Sequence, residues 1–124
     1  PYVDFLILNQ VEAAQLMAET GKLVTRLGVE DVVVTLGSRG SRWNNQTHET
    51  NQFFKAPKVD VVDTTGAGDT YTGYALALID TEHTMATALH VAADAAALMA
   101  TRHGTADAIP TRNDVARFSK TLPR

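Results

Sequence analysis

The stretch Val61–Ile79, VVDTTGAGDTYTGYALALI, changes from polar, glycine-rich residues to an apolar run. Gly66 and Gly68 stand where an extended segment ends and a helix begins, and one acid, Asp69, lies just inside the first helical turn. Glycines there leave the first backbone N–H groups accessible to a ligand, and the N-terminus of a helix attracts anions. The stretch therefore predicts a turn into a helix, with an anion site at the turn.

The chemistry of Asp69 has two interpretations. The familiar phosphate fingerprints do not fit, because a dinucleotide G-x-G-x-x-G needs glycine at Tyr71 and a P-loop needs lysine at Tyr74. An ionised carboxylate beside a phosphate cradle can accept the proton of an attacking hydroxyl, as phosphoryl transfer requires. The alternative is an aspartate that only complements the helix dipole. The glycine pattern by itself leaves both open.

Composition limits the classes of protein that are possible. With 124 residues and 44% hydrophobic content, the chain is long enough for one compact domain. The net charge is −3 and the eleven Lys and Arg are scattered, so neither a nucleic acid nor a membrane is expected as a partner. There is no cysteine, which excludes disulfides and thiolate metal sites and is compatible with the cytoplasm. The chain starts inside an apolar strand pattern, which suggests a missing upstream part; removal of an initiator Met before Pro1 is the alternative.

The first part of the chain predicts a βαβ unit. Val3–Leu8 is an apolar run of strand length, and Val11–Leu27 has apolar residues at helical spacing before Gly28. Asp31–Gly37 is a β-branched run without alternation, as in a strand buried on both faces of a parallel sheet.

The second part predicts short strands and then helices. Residues 41–62 contain three short β-like pieces, SRWN, HETNQFF and KVDVV, which indicate an antiparallel hairpin and edge strands, with a turn at Asn44–Gln46. Three helices are predicted to follow, Ala67–Ile79, His83–Arg102 and Arg112–Lys120. The expected fold is one α/β sheet with helices packed on it.

Four motifs in this order resemble the carbohydrate kinases of the ribokinase (PfkB) family. Asp63–Asp69 and the helix after it are similar to the second family signature, and LNQVEA, with Asn9 and Glu12, is similar to the N-x-x-E segment. Val34–Gly40 resembles the nucleotide strand and loop, and Ala100–Pro110 resembles the cation loop. The resemblance covers nearly the whole chain. It implies a doubly wound α/β sheet, of which residues 1–124 are the C-terminal, nucleotide-binding part, without the N-terminal half and its β-sheet lid.

The resemblance also implies site residues. Asp69 would be the general base, and the amides of Gly66, Ala67 and Gly68 would form the anion hole for the transferred phosphoryl group. Glu12 would help to hold hydrated Mg²⁺. ATP would be contacted by Asn9 and by the loop Thr35, Leu36, Gly37, Ser38, Arg39 and Gly40. A monovalent cation, K⁺, would lie on oxygens of Asp63 and Thr65 and on carbonyls near Met99, Arg102 and Gly104.

Three positions depart from the family pattern. Tyr74 follows Gly73 where the family usually has Ala or Gly, so the helix packing beneath the site must accommodate a ring. Ala93 stands where many members have Asn or His near the adenine, and Ala108 stands where Ser often completes the cation loop. These two departures bear on base preference and on the dependence on K⁺.

The histidines and aromatic residues favour structural roles. The four histidines show no metal-ligand spacing, so no zinc site is expected. Trp43, Phe53 and Phe54 lie in the hairpin region without interleaved basic residues, which favours core or edge cover over base stacking.

The resemblance implies an ATP-dependent kinase that phosphorylates a hydroxyl of a sugar or a similar small molecule, with a homodimer as the possible intact assembly. Ala67 stands between the two glycines, where vitamin kinases more often have Thr, and this favours sugar or nucleoside substrates, with a ribose-type sugar as the preferred acceptor. The isolated chain is expected to be inactive. The alternative from another class is a non-catalytic module that binds a nucleotide or a partner.

Overall fold

The computed structural model of the protein describes residues 5–81, 84–102 and 109–123. Its contacts divide into two compact units, Pro1–Lys55 (unit 1) and Ala56–Arg124 (unit 2). The assignment of residues 1–124 to one part of a domain stays a prediction.

Unit 1 contains a four-stranded mixed sheet with the order β1-β2-β3-β4. Strands β1 and β2 are parallel, while β3 is antiparallel to both of its neighbours, β2 and β4. This confirms the predicted βαβ unit and the antiparallel hairpin. The elements are β1 (Phe5–Asn9), α1 (Gln10–Thr20), β2 (Asp31–Thr35), β3 (Ser41–Asn45) and β4 (Thr50–Phe54), with single 3₁₀ turns at Val24–Arg26 and Gly37–Arg39.

The parallel pair is held by a small apolar core. Leu8 of β1 and Val32 of β2 are buried together with Val29, and residues of α1 pack against them, among them Ala13 and Leu16. The register pairs the last residues of the two strands, Asn9 and Thr35. The polar residues that follow the two strands therefore leave the sheet at the same edge.

The first helix is shorter than predicted. A continuous helix over Val11–Leu27 was expected, but α1 ends at Thr20. Gly21 adopts a left-handed conformation (φ 70°), and its amide donates to the Met17 carbonyl, which is a common way for a helix to end. The apolar residues after Gly21 continue the spacing in a 3₁₀ turn instead.

The strand bounds differ from the predicted ones in several places. The predicted strand Val3–Leu8 begins outside the described residues, and β2 ends at Thr35 because the chain turns at Gly37. The predicted turn at Asn44–Gln46 is wrong, since Asn44 and Asn45 belong to β3. The turn lies at residues 46–49 instead.

The interaction that overrides the turn preference of Asn45 is a polar cluster on Asp31. Its Oδ1 accepts hydrogen bonds from Trp43 Nε1 and Asn45 Nδ2, both at 2.8 Å. The side-chain oxygen of Asn45, Oδ1, accepts a 2.9 Å hydrogen bond from the backbone amide of His48. Asn45 is thus buried and satisfied inside the strand. Trp43 is half-buried beside it, in agreement with a structural role.

The predicted strand KVDVV, residues 58–62, is also wrong, since these residues form no regular element. The backbone amides of Val62 and Asp63 both donate to the Ala100 carbonyl, at 2.8 and 3.1 Å. Val61 and Val62 are more than half exposed. The β-branched run therefore binds the end of a helix instead of a neighbouring strand.

Unit 2 contains three helices, α2 (Ala67–Asp80), α3 (Met85–Ala100) and α4 (Arg112–Thr121). They confirm the three predicted helices, with shifts of one or two residues at most of their ends. His83, the predicted start of the second one, lies outside the described residues. None of the helices in the described ranges is both long and apolar enough to cross a bilayer.

Helices α2 and α3 pack closely because their contact face is built from alanines. Ala75, Ala88, Ala92 and Ala95 are completely buried. Side chains this small let two helix backbones approach each other. On α3 a buried acid, Asp94, accepts a 2.6 Å hydrogen bond from Ser119 Oγ of α4. This bond joins α4 to α3.

Helix α4 begins with a capping box. The Thr111 hydroxyl accepts a hydrogen bond from the Asp114 amide, and the Asp114 carboxylate accepts one from the Thr111 amide, both at 3.1 Å. Arg117 donates a third hydrogen bond to the same carboxylate at 2.8 Å. The hydrogen bond from the Thr111 amide, followed by that from Arg117, lowers the pKa of Asp114 below its ordinary value of 3.8.

A lowered pKa predicts that the Asp114 carboxylate stabilises the fold at neutral pH and loses this effect in acid. Its contribution is complete above pH 3.8 and disappears as the pH falls through the lower value of the folded state. Urea unfolding of the wild type and of Asp114→Asn from pH 7 to pH 2 measures it. The stability difference between the two proteins should be constant near neutrality and shrink below about pH 4. A difference independent of pH would contradict the expectation.

Candidate active site

The turn that leads into α2 is built from local hydrogen bonds. Asp63 Oδ1 accepts the Thr65 amide at 2.9 Å, and the Ala67 amide donates to the Thr64 carbonyl at 3.1 Å. The Gly66 carbonyl then accepts the Thr70 amide at 2.9 Å, which is the first bond of the helix. The predicted change from turn to helix thus occurs at Gly66.

Gly66 is glycine for two reasons. Its φ of 78° lies in the left-handed region, and this conformation is unfavourable in free energy for any residue that has a Cβ. A Cβ placed there would also lie 3.1 Å from Met99 Cε. At Gly68, in contrast, a Cβ would meet no atom within 4 Å. The two glycines of the motif therefore have different structural requirements.

The N-terminus of α2 has donors to offer. No side chain among the described residues caps it. The Ala67 amide is engaged with Thr64, whereas the amides of Gly66, Gly68 and Asp69 make no hydrogen bond within the described ranges. The amide of Asp69 was not singled out from the sequence, although the first four amides of any helix lack helical partners. The turn can therefore bind an oxyanion through backbone donors.

Asp69 lies in the first turn of α2 and lines a groove of about 580 Å³ in unit 2. Its carboxylate is exposed and makes no hydrogen bond or ion pair with the described residues. Most of the groove wall is apolar, and Arg112 is its basic member. The remaining lining residues are Gly66, Thr70, Gly73, Tyr74, Ala77, Leu78, Met99 and Ile109. The Asp69 carboxylate can therefore accept a proton next to the backbone amides that can stabilise an oxyanion.

Tyr74 shows how the helix accommodates the ring that departs from the family pattern. The ring is half-buried in the groove wall, and the hydroxyl donates a hydrogen bond to the Pro110 carbonyl. Burial of the side chain raises the pKa of Tyr74. The hydroxyl is therefore a neutral donor at physiological pH.

The predicted cation ligands are brought together in unit 2, as far as they are described. The bonds from Val62 and Asp63 to the Ala100 carbonyl place the segment before Gly66 against the end of α3. Met99 and Arg102 lie there, and the Met99 carbonyl accepts the Arg102 amide at 3.0 Å. Gly104 and Ala108 lie outside the described residues.

The chemistry of these donors suits a hard monovalent cation. The set consists of carboxylate, hydroxyl and carbonyl oxygens, without nitrogen or sulfur. No cluster of three or more His, Cys, Asp or Glu that could hold a metal occurs in the described ranges.

In unit 1, Asn9 and Glu12 bind each other. Asn9 Oδ1 accepts the Glu12 amide at 2.8 Å, and Glu12 Oε1 accepts the Asn9 amide at 2.9 Å, so the pair forms the capping box of α1. Asn9 Nδ2 and Glu12 Oε2 make no further hydrogen bond within the described ranges. The remaining carboxylate oxygen fits a hydrated Mg²⁺, which typically keeps several of its waters.

The predicted nucleotide loop lies at the same edge of the sheet. The Leu36 amide donates to the Gly40 carbonyl at 2.8 Å, and positive φ values at Gly37 (62°) and Gly40 (124°) allow the tight turn. Arg39 donates to Gln10 Oε1 at 2.7 Å, which ties the loop to the start of α1. Gln10 was missed from the sequence, because no local pattern pairs it with a residue 29 positions away.

The two units thus define an α/β protein with a polar loop at the carboxyl edge of its parallel strands and, in unit 2, a glycine turn that leads into a helix without a side-chain cap among the described residues. The family model of the pfkB family carbohydrate kinases matches residues 1–112. The chain belongs to this family.

Similarity to individual proteins supports the same conclusion. The chain is 34% identical to ribokinase of Arabidopsis thaliana over 129 residues, which covers 95% of this chain and 34% of that protein. The crystal structure of ribokinase from Thermotoga maritima matches 97% of this chain and 43% of its own, with 31% identity and a TM-score of 0.87. The Arabidopsis ribokinase complexed with ribose and ATP covers 94% of this chain and 41% of its own, with 33% identity and a TM-score of 0.83. The predicted α/β fold is confirmed, and the chain spans about two fifths or less of these relatives.

The two glycines of the turn predict opposite effects of alanine. Gly66→Ala should lower the free energy of unfolding by about 1 to 2 kcal/mol, because the left-handed conformation strains any residue with a Cβ. Gly68→Ala should leave stability unchanged or raise it by up to about 1 kcal/mol, because alanine favours the helix. Urea unfolding of the two variants compares them directly. Equal effects would contradict the different structural requirements of the two glycines.

Proposed function

We propose that the natural gene product with these 124 residues transfers the γ-phosphoryl group of ATP to a hydroxyl of a sugar, with a ribose-type sugar as the acceptor. The observation that carries the proposal is the exposed Asp69 in the first turn of a helix beside a groove, where the N-terminal amides of Gly66, Gly68 and Asp69 are unpaired within the described ranges. Membership in the pfkB family supports it. The complex of the similar Arabidopsis protein with ribose and ATP supports the pair of substrates.

In the proposed reaction, Asp69 accepts the proton of the acceptor hydroxyl as its oxygen attacks the γ-phosphorus. A bond forms between these two atoms while the bond from the γ-phosphorus to the bridging oxygen of ADP breaks. The negative charge on the equatorial oxygens is stabilised by the amides of the turn, Gly66, Gly68 and Asp69, together with Ala67 if its bond to Thr64 opens. The chain thus contributes a base and preorganised donors.

The nucleotide and the cations would be held by other residues. We assign ATP contacts to Asn9 and the loop Thr35–Gly40. Glu12 would bind Mg²⁺ through water, and Asp63, Thr65, Met99, Arg102 and Gly104 would hold K⁺ behind the turn. The cations supply positive charge that stabilises the phosphates and the turn. The proposal also includes a cytoplasmic location and a homodimeric assembly of the gene product.

The role of Asp69 predicts the effect of a neutral substitution. In the natural gene product, Asp69→Asn should lower kcat by about 10²- to 10⁴-fold, because a general base contributes a factor of this size. The KM for ATP should change little, since the proposed nucleotide contacts are elsewhere. Asp80→Asn, at the exposed C-terminal end of α2, is the matched control and should retain activity. A coupled assay of ADP release measures both, and full activity of Asp69→Asn would refute the assignment.

A second prediction concerns the isolated 124-residue chain. It should bind ATP and phosphorylate no sugar, because it spans only part of its relatives and positioning of the acceptor supplies about 7 to 11 kcal/mol of barrier reduction. Titration calorimetry with ATP and the coupled assay with a panel of sugars test this. A sugar-dependent rate from the isolated chain would contradict the prediction. If the natural gene product also binds ATP without turnover, it is a binding module.

A further inference from the structure

The hydroxyl of Tyr74 binds a backbone carbonyl on the opposite side of the groove from α2. We propose that Tyr74 is a positioning residue that holds the wall formed by residues 109–112 against the helix that carries Asp69. This inference rests on the proposed function, because it assigns the groove to the acceptor.

Tyr74 and Asp69 share one helix and one groove. Asp69 is in the first turn of α2, Tyr74 is in the second, and both side chains line the same space of about 580 Å³. Gly73, between them in sequence, contributes no side chain to the wall and leaves the space open. A change in how Tyr74 contacts the opposite wall therefore changes the width of the groove beside Asp69.

The opposite wall is the segment that starts α4. Pro110, whose carbonyl accepts the Tyr74 hydroxyl, is buried and stands directly before Thr111, the N-cap of α4. Ile109 and Arg112 on either side of it line the groove. The hydrogen bond thus acts on a residue whose two flanks face the same space as Asp69.

Among the described residues, two further polar contacts link α4 to α3 and to a residue just after it. Ser119 donates to Asp94 of α3, and Asp114 forms a 3.6 Å ion pair with Arg102, just after the end of α3. These contacts orient α4 on α3. The bond from Tyr74 adds a contact to α2, and it lies at the end of α4 nearest the groove.

The bond is suited to permanent positioning because its donor does not titrate near neutrality. Burial, as the largest cause, raises the pKa of Tyr74, while the nearby Arg112 and Arg102 lower it and Asp114 raises it. A neutral hydroxyl donating to a neutral carbonyl holds the wall equally well across the physiological pH range.

Loss of the Tyr74 hydroxyl should weaken the binding of the acceptor and leave the binding of ATP unchanged. In Tyr74→Phe the ring still fills its site, but the buried Pro110 carbonyl loses its donor, and the wall can move away from α2. An acceptor bound against that wall would then be presented less accurately to Asp69. The proposed contacts of ATP are on other residues and keep their geometry.

The experiment compares Tyr74→Phe with Tyr71→Phe in the natural gene product. Tyr71 is buried on the same helix and does not line the groove, so the control removes a buried hydroxyl from α2 at a position outside the groove. Amide hydrogen exchange follows the first turn of α4, and steady-state kinetics give KM and kcat for a ribose-type acceptor and for ATP.

For Tyr74→Phe we expect faster exchange in the first turn of α4 and an acceptor KM raised by about 3- to 10-fold, the size of one lost hydrogen bond. The KM for ATP should stay the same, and Tyr71→Phe should change neither exchange in α4 nor the acceptor KM.

Three results would overturn the inference. Unchanged exchange in Tyr74→Phe would show that the hydroxyl does not hold the wall, even in an active enzyme. Equal increases in the KM values for acceptor and ATP, or equal effects of Tyr74→Phe and Tyr71→Phe, would indicate a general loss of stability. A wild-type protein that phosphorylates no acceptor would instead refute the proposed function on which the inference depends.

Discussion

The Ala100 carbonyl accepts two backbone amides, those of Val62 and Asp63, and the geometry of the candidate site depends on this contact. It fixes the chain just before the turn at Gly66, so that α2 starts at a defined place relative to the end of α3. The direction of the first amides of α2 and the position of Asp69 follow from that start. The alanine face between α2 and α3 then maintains the arrangement along both helices.

Local patterns predicted the helices of unit 2, the parallel pair and the hairpin, because each is encoded by its own spacing of apolar residues. The errors occur where a distant group overrides a local preference. Residues 58–62 resemble a strand, but the Ala100 carbonyl accepts hydrogen bonds from the amides of Val62 and Asp63. Asn45 resembles a turn residue, but Asp31 satisfies its side chain within β3. Gly21 was a local signal for the end of α1, and the apolar spacing beyond it concealed that signal.

In the candidate site, too, local sequence motifs could be predicted and contacts between distant residues could not. Asp69 and the glycines could be found because the motif is contiguous and the physical chemistry of a helix N-terminus is general. The contacts from Arg39 to Gln10 and from Tyr74 to Pro110 could not, since each joins residues that are about 30 or more positions apart. Asn9 and Glu12 are an intermediate case. The sequence predicted that they contact ATP and Mg²⁺, and the structure shows that the same pair caps α1. Substitutions there would therefore disturb folding together with binding.

The buried pair of Asp94 and Ser119 restricts how the sequence can change over evolutionary time. A carboxylate that is almost completely buried is costly without its hydrogen-bond donor, and a lone serine facing an apolar residue gains nothing in return. Single exchanges at either position are therefore disfavoured, because each removes one partner of this hydrogen bond. Among relatives, positions 94 and 119 should vary together, as a covariation that records the docking of the last helix.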